Sequence, residues 1–150
     1  MLDATDRRLL RYLQDDPEQP LAALAEAARV PQATAARRIE KLRADGVIRA
    51  FRARIDWRAL GYAVEVSLRI TLEKSPRAFD DFLAAARAVP EVIELQTFLG
   101  RVDIRLSVIA RDMGHYQALY RDHILTLPHI ADIEALMQVA EVSRREGLPL

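Results

Sequence analysis

Apolar residues recur along this chain with two different periods, and the change comes after Gly61. From Leu2 to Gln14, the positions of Leu2, Leu9, Leu10 and Leu13 predict a helix with one buried stripe. Asp3 is placed to cap it, and Asp6 adds negative charge near its positive end. The run DDPEQP, Asp15 to Pro20, is a polar, proline-broken loop. A second helix starts at Pro20 or Leu21, with Leu21, Leu24, Ala25 and Ala28 at i, i+3, i+4 and i+7. Arg29-Val30-Pro31 interrupts that pattern, and a third helix runs from about Gln32 to Ala44. Helical geometry turns its Ala35, Ile39 and Leu42 inward and its Ala33, Ala36, Arg37, Glu40 and Lys41 outward. Gly46, after Asp45, is a stop signal. Val47 to Ile55 alternates loosely, which predicts a small two-stranded wing or an extended arm.

Beyond the junction DWRALG the alternation becomes that of strands. Tyr62 to Leu72 has period two. Pro76 to Val89 reads as a helix with Phe79, Phe82, Leu83 and Ala86 inward and Pro76 in its first turn. Glu91 to Leu99 is a strand, Gly100 a turn, and Arg101 to Ala110 another strand. Asp112 caps a helix that Pro128 ends, and Ile130 to Val142 is a last strand. The order β-α-β-β-α-β is that of the ferredoxin-like unit. The expected fold is therefore α+β: an N-terminal winged helix-turn-helix (residues 1–55), a linker (56–61), a ferredoxin-like βαββαβ domain (62–142) and a C-terminal tail (143–150).

Composition narrows the function. The 150 residues suffice for one ordinary domain or two small ones, and 51% hydrophobic with 29% charged residues suits a soluble protein with a real core. Without cysteine there is no disulfide framework, thiolate metal site or cysteine nucleophile. The opening MLDATDRR lacks the apolar run of a signal peptide, and no stretch approaches a membrane span, so the expected location is cytoplasmic with no membrane partner. His115, His123 and His129 have no zinc-site spacing, and no phosphate loop or nucleophile elbow occurs, so no metal, cofactor or catalytic residue is expected. The net charge is zero, yet Arg29 to Arg54 holds eight Lys/Arg against Glu40 and Asp45 alone. A cationic face on a helix-turn-helix suits a phosphate backbone.

With these residues in place, the chain resembles the Lrp/AsnC (feast/famine) family of transcriptional regulators over nearly its full length. LDATDRRLLRYLQDD is similar to the family's opening helix, and TAARRIEKLRADGVIRAFRARID to its recognition helix and following strand. FLGRVDIRLSVIARDMGHYQALY resembles the effector-domain signature, and LPHIADIEALMQVAEV the closing strand. The resemblance implies double-stranded DNA as partner, and self-association to dimers and then to a tetramer of dimers. It also implies a small-molecule effector, usually an amino acid, bound between effector domains. A twofold would set two recognition helices about 34 Å apart. Three departures from the family stand out: Arg29 where the turn usually has glycine, Pro31 where a Ser-type cap is usual, and Arg101 where an acid commonly follows Gly100. If the backbone at Arg29 is left-handed, arginine costs roughly 1 kcal/mol relative to glycine.

The third helix is expected in the major groove. Gln32, Ala33, Thr34, Ala36 and Arg37 lie on its N-terminal half; Arg37 suits guanine, Gln32 adenine, and the alanines only a thymine methyl. Arg38, Lys41, Arg49, Arg52 and Arg54 suit phosphates. Arg38 leans inward, so pairing with an acid such as Asp6 is the other reading of it. For an effector, the turn Leu99-Gly100-Arg101-Val102-Asp103 offers backbone groups and one carboxylate, and Asp103 either accepts an ammonium or pairs with an arginine. Similarity to the family adds Leu136, Met137 and Gln138, for which plain sheet packing is the alternative. Arg101 either pairs with a ligand carboxylate or fills the pocket. If it fills the pocket, the protein is an effector-independent architectural DNA binder. A sirohaem-decarboxylase-like enzyme is the remoter alternative. It would be expected to carry a histidine between Val92 and Ile109, where this chain has none.

Overall fold

Asp3 starts the first helix as the sequence requires. Its carboxylate accepts the Thr5 and Asp6 N–H groups at 2.8 and 2.9 Å, and Asp6 accepts the Asp3 N–H at 3.1 Å, so two orphan ends satisfy each other. The computed structural model describes residues 1–143 and 147–150. The chain gathers into two units, Met1–Arg54 with Val142–Leu150, and Ile55–Glu141.

The first unit holds α1 (Ala4–Asp15), α2 (Leu21–Ala27) and α3 (Gln32–Ala44). Its core is Leu9, Leu24, Ala25, Ala28, Ala35 and Ile39. Three of these are alanines, which let helix axes approach closely. Of the stripe expected on α1, Leu9 is fully buried while Leu2, Leu10 and Leu13 are half-buried. After α3 the residues Val47 to Ile55 form no strand, so of wing pair and arm this single chain shows the arm. The tail expected at 143–150 belongs to this unit. Gln14 accepts the Leu148 N–H at 2.7 Å, and Arg11 Nε donates to the Leu150 main-chain oxygen at 2.9 Å. Residues 144–146 of that tail lie outside the described residues.

The second unit runs β1 (Val64–Leu72), α4 (Ala78–Arg87), β2 (Val92–Thr97), β3 (Ile104–Ala110), α5 (Met113–Leu119) and β4 (Ile130–Met137), with α5 continuing into one π turn, Tyr120–Ile124. The sheet order is β2-β3-β1-β4 with every neighbour antiparallel. Period-two alternation buries Val66, Leu68, Ile70 and Leu72 against Ala78 and Phe82 of α4 and Tyr116 and Leu119 of α5. The other face of β1 carries Glu65, Ser67, Arg69 and Thr71.

Four details differ from the sequence reading. Phe79 is 38% exposed, and Ala78, at 1%, takes its place in the core. The inward row of α4 is Ala78, Phe82 and Ala86 with Leu83 packed partly against the core, so of the four expected residues only Phe79 is exposed. Pro76 precedes the helix rather than opening it. The strand expected from Arg101 starts at Ile104, because residues 98–103 form a longer turn, and the last strand stops at Met137, not Val142.

Candidate nucleic-acid interface and effector turn

The turn between α2 and α3 is a complete Schellman motif. Val30 N–H donates to Ala25 O at 3.0 Å and Arg29 N–H to Glu26 O at 2.9 Å. The motif needs a left-handed residue, and Arg29 supplies it at φ 55°. The same motif ends α3, where Gly46 takes φ 71° and Val47 N–H reaches Leu42 O at 2.9 Å. Arg8 of α1 braces the first of these turns, with Nε donating to Ala28 O at 3.1 Å. Nothing in the spacing of Arg8 singled it out. Pro31 is the cap residue of α3 and makes no side-chain hydrogen bond to it, so the N–H groups of the first turn stay open.

The cations of α3 divide into engaged and unengaged groups. Arg38 Nη1 lies 2.9 Å from Asp6 Oδ1 and also pairs with Asp3. It therefore locks α3 to the capping box of α1, the second of the two readings of that residue, and is not a free phosphate contact. The Asp6 backbone N–H, then the Arg38 guanidinium, hold the Asp3 carboxyl below its ordinary range, and Asp6 and Asp3 in turn raise Arg38. Arg43 pairs with Glu40 at 3.3 Å and stacks 5.1 Å from the Phe51 ring centroid. Gln32, Ala33, Arg37 and Lys41 are exposed; Thr34 and Ala36 are half-buried. Ala36 lines a groove with Leu13, Leu21, Leu24, Ile39 and Phe51, which draws it towards the other helices. On the arm, Arg49, Arg52 and Arg54 are exposed. Among the described residues, Arg37, Lys41, Arg49 and Arg52 have no ion pair or hydrogen-bonded side-chain partner.

At the effector turn, Gly100 has φ 155°, which side chains rarely tolerate, and an added Cβ would meet nothing within 4 Å. The constraint there is conformational. Asp103 Oδ2 accepts the Leu72 N–H at 2.8 Å, Asp103 N–H donates to Ile70 O at 3.0 Å, and Asp103 O accepts from Phe98 N–H at 2.8 Å. Its carboxylate thereby pins the turn to β1. Arg101 O accepts from Thr71 Oγ1 at 2.9 Å, while the Arg101 side chain is exposed. An open depression of about 430 Å³ is lined by Arg69, Phe98, Leu99, Gly100, Arg101, Val102 and Arg105. Leu136, Met137 and Gln138 do not line it. Leu136 pairs with Ser67 and Met137 with Val66, near the start of β1, whereas the turn is tied to its end at Ile70 and Leu72. One chain therefore does not bring the two expected halves of the effector site together.

A helix-turn-helix with an unpaired cationic face, joined in one chain to a ferredoxin-like unit, defines a DNA-binding transcriptional regulator with a separate sensing domain. Residues 2–49 match the model for winged helix-turn-helix DNA-binding domains, and residues 65–148 the model for the Lrp/AsnC ligand binding domain. The chain belongs to the Lrp/AsnC family of transcriptional regulators. It is 33% identical over 135 residues to the proline dehydrogenase transcriptional activator of Rhodobacter capsulatus, covering 87% of this chain and 86% of that one. The crystal structure of an AsnC family transcriptional regulator from Agrobacterium tumefaciens superposes with a TM-score of 0.87 at 31% identity, over 99% of this chain and 97% of that one. A Neisseria meningitidis regulator, solved in complex with L-Met, shares the fold with a TM-score of 0.92 at 24% identity, over 99% and 97% of the two chains. Among the described residues, no helix is long and apolar enough to cross a membrane, and no group of three His, Cys, Asp or Glu is placed to hold a metal ion.

Proposed function

We propose that α3 reads DNA through Gln32, Ala33, Thr34 and Arg37 in the major groove, while Lys41, Arg49, Arg52 and Arg54 follow the phosphates. The observation that carries this reading is the contrast along α3: Arg38 and Arg43 are engaged inside the unit, and Arg37 and Lys41, on its outer face, are not. Arg37 and Lys41, unpaired on that face, provide counterion release, and a single arginine fork among alanines gives sparse direct readout. Arg38 acts as a positioning residue for α3. Half-buried Ala36 is at most a minor contact.

Copies of the chain assemble through the second unit, as dimers and then as a tetramer of dimers. Its Phe98, Leu99, Met137 and Val139 are large apolar groups exposed at 45, 105, 46 and 97%, with little to pack on within the chain. A small-molecule effector binds at the 99–103 turn, and the distance of Leu136, Met137 and Gln138 from that turn favours their delivery by a second copy. An effector acts here only through unequal affinity for two assembly states.

The test is selection of preferred duplexes from a random pool, followed by affinity measurements across a salt series. Arg37→Ala should cost about 1–3 kcal/mol at selected sites and flatten the preference. Arg52→Ala should weaken all duplexes alike and lower the salt slope by about one. Footprints and slopes identical to the parent in both variants would refute the assignment.

A further inference from the structure

The open face of the sheet places two arginines where strand pairing disfavours them. Arg69 of β1 and Arg105 of β3 stand directly opposite each other in register. Like charges in that position repel. Each has a carboxylate on its far side: Arg105 Nη2 lies 2.8 Å from Glu94 Oε2, and Arg69 Nη1 lies 3.7 Å from Glu134 Oε2. No acid lies between the two arginines in the register. Arg105 Nε is buried and has no hydrogen-bond acceptor among the described residues. A donor withdrawn from water without a partner is costly, and a ligand oxygen removes that cost. Arg101 brings a third guanidinium from the turn, with no ion pair among the described residues. The one carboxylate of the turn, Asp103, already holds the Leu72 N–H. The lining therefore presents three guanidinium groups and no carboxylate.

We propose that this depression selects a small dianion, a dicarboxylate being the class that fits best, held by Arg105, Arg69 and Arg101 rather than by a carboxylate–ammonium pair. The inference rests on the effector reading above and gives that site its ligand class. Two separated acid groups match guanidinium forks spread over two strands and a turn, since each fork takes a carboxylate bidentately. Phe98 and Leu99 supply an apolar rim for the short chain between the acids. An α-ammonium gains nothing from this lining, so a dicarboxylate with or without an amino group binds comparably.

The experiment is a thermal-shift and calorimetric comparison on the full chain, at matched ionic strength, with succinate, L-aspartate, L-leucine, L-methionine and inorganic phosphate. Succinate and aspartate should raise the melting temperature, and leucine and methionine should not. The phosphate arm separates carboxylate from phosphoryl as the source of the dianion, and a shift with either supports the proposal. Arg101→Gln, on the exposed turn, and Arg105→Gln should each raise the apparent Kd for succinate about tenfold or more, the worth of one charged hydrogen bond. Arg105→Lys keeps the charge, loses the fork and should fall between. Binding of leucine or methionine without succinate would leave the effector reading standing and overturn the dianion. Silence from every compound would overturn both. A variant Arg105→Gln that alters only the sedimentation coefficient, with dianions inert, would assign these arginines to a contact between copies and end the proposal.

Discussion

Among the described residues, each unit contains one residue other than glycine with a left-handed backbone, Arg29 at φ 55° and His129 at φ 64°. Such a conformation costs on the order of 1–3 kcal/mol and persists only where something compensates. At His129 the compensation is internal. Its carbonyl accepts the Glu73 N–H at 2.8 Å, its Nε2 is 3.0 Å from Asp81 Oδ2, and its Nδ1 is 3.7 Å from Glu73 Oε2. At Arg29 the backbone closes the Schellman turn, but the exposed guanidinium has no partner among the described residues. The strain at His129 belongs to folding. The strain at Arg29 places an exposed cation beside the start of α3, and a contact with DNA would account for it.

The same substitution at both positions separates these roles. His129→Ala keeps the strained backbone and removes the ring, so it should destabilise the second unit by about 1 kcal/mol, a hydrogen bond partly screened by solvent. Arg29→Ala keeps the strain and removes only an unpartnered side chain. Its stability should stay within about 0.5 kcal/mol of the parent, while its affinity for every duplex falls. Chemical denaturation and fluorescence anisotropy on the two variants are enough. A destabilised Arg29→Ala with intact DNA affinity would reverse the comparison.

The same two regions show what is legible in a sequence and what is not. Local signals carried well: the Asp3 cap and the inward set Ala35, Ile39 and Leu42 follow from near-neighbour chemistry, whereas the turn at Arg29 and the uncapped start at Pro31 stood out only by comparison with the resembled family. The split βαβ order was legible from the change of period, because it depends only on element type and sequence. Register was not. Leu136 to Gln138 and the Gly100 turn read as one site, yet strand pairing puts them at opposite ends of β1. On α4 only Phe79 was misplaced, because Ala78 is small and Phe79 conspicuous, and size does not decide which way a helix faces; Phe82, Leu83 and Ala86 lie on the core side. Long-range partners were visible only in part. The inward lean of Arg38 suggested an acid such as Asp6, but nothing local showed that Asp103 would hold a strand N–H or that Gln14 would take the tail.

Acid titration should sharpen the contrast by a smaller margin. The His129 hydrogen bond, and after it the Arg77 charge, hold the Asp81 carboxyl below its ordinary value of 3.8. A carboxylate depressed in the folded state contributes stability above its unfolded value and loses it as pH falls through the folded one. The link from Asp81 to His129 is therefore intact at neutral pH and fades below about pH 4. Asp3, held down by the Asp6 N–H and Arg38, gives the first unit a link of the same sign. Both are solvent-accessible, so each effect is modest and shrinks with salt. Melting temperatures between neutral pH and about pH 2 should fall less steeply in Asp81→Asn and Asp3→Asn than in the parent. Parallel curves would remove these carboxylates from the acid response.

The smallest effect is the most diagnostic, because its sign differs between stability and function. Arg29→Gly relieves a left-handed arginine, a gain of about 1–2 kcal/mol. Glycine also widens the unfolded ensemble, a loss of about 0.5–1 kcal/mol. The balance is a stabilisation of the first unit by about 1 kcal/mol or less. Gly46 shows that the motif accepts glycine, since the identical turn at the end of α3 is built on it. If Arg29 is kept left-handed for its charge, the stabler Arg29→Gly variant binds duplex DNA more weakly and with a lower salt slope. Arg29→Asn, which also tolerates the left-handed region but carries no charge, should bind DNA as weakly as the glycine variant. A glycine variant that is both stabler and fully competent for DNA would leave the arginine without a function at that turn, and the strain without a reason.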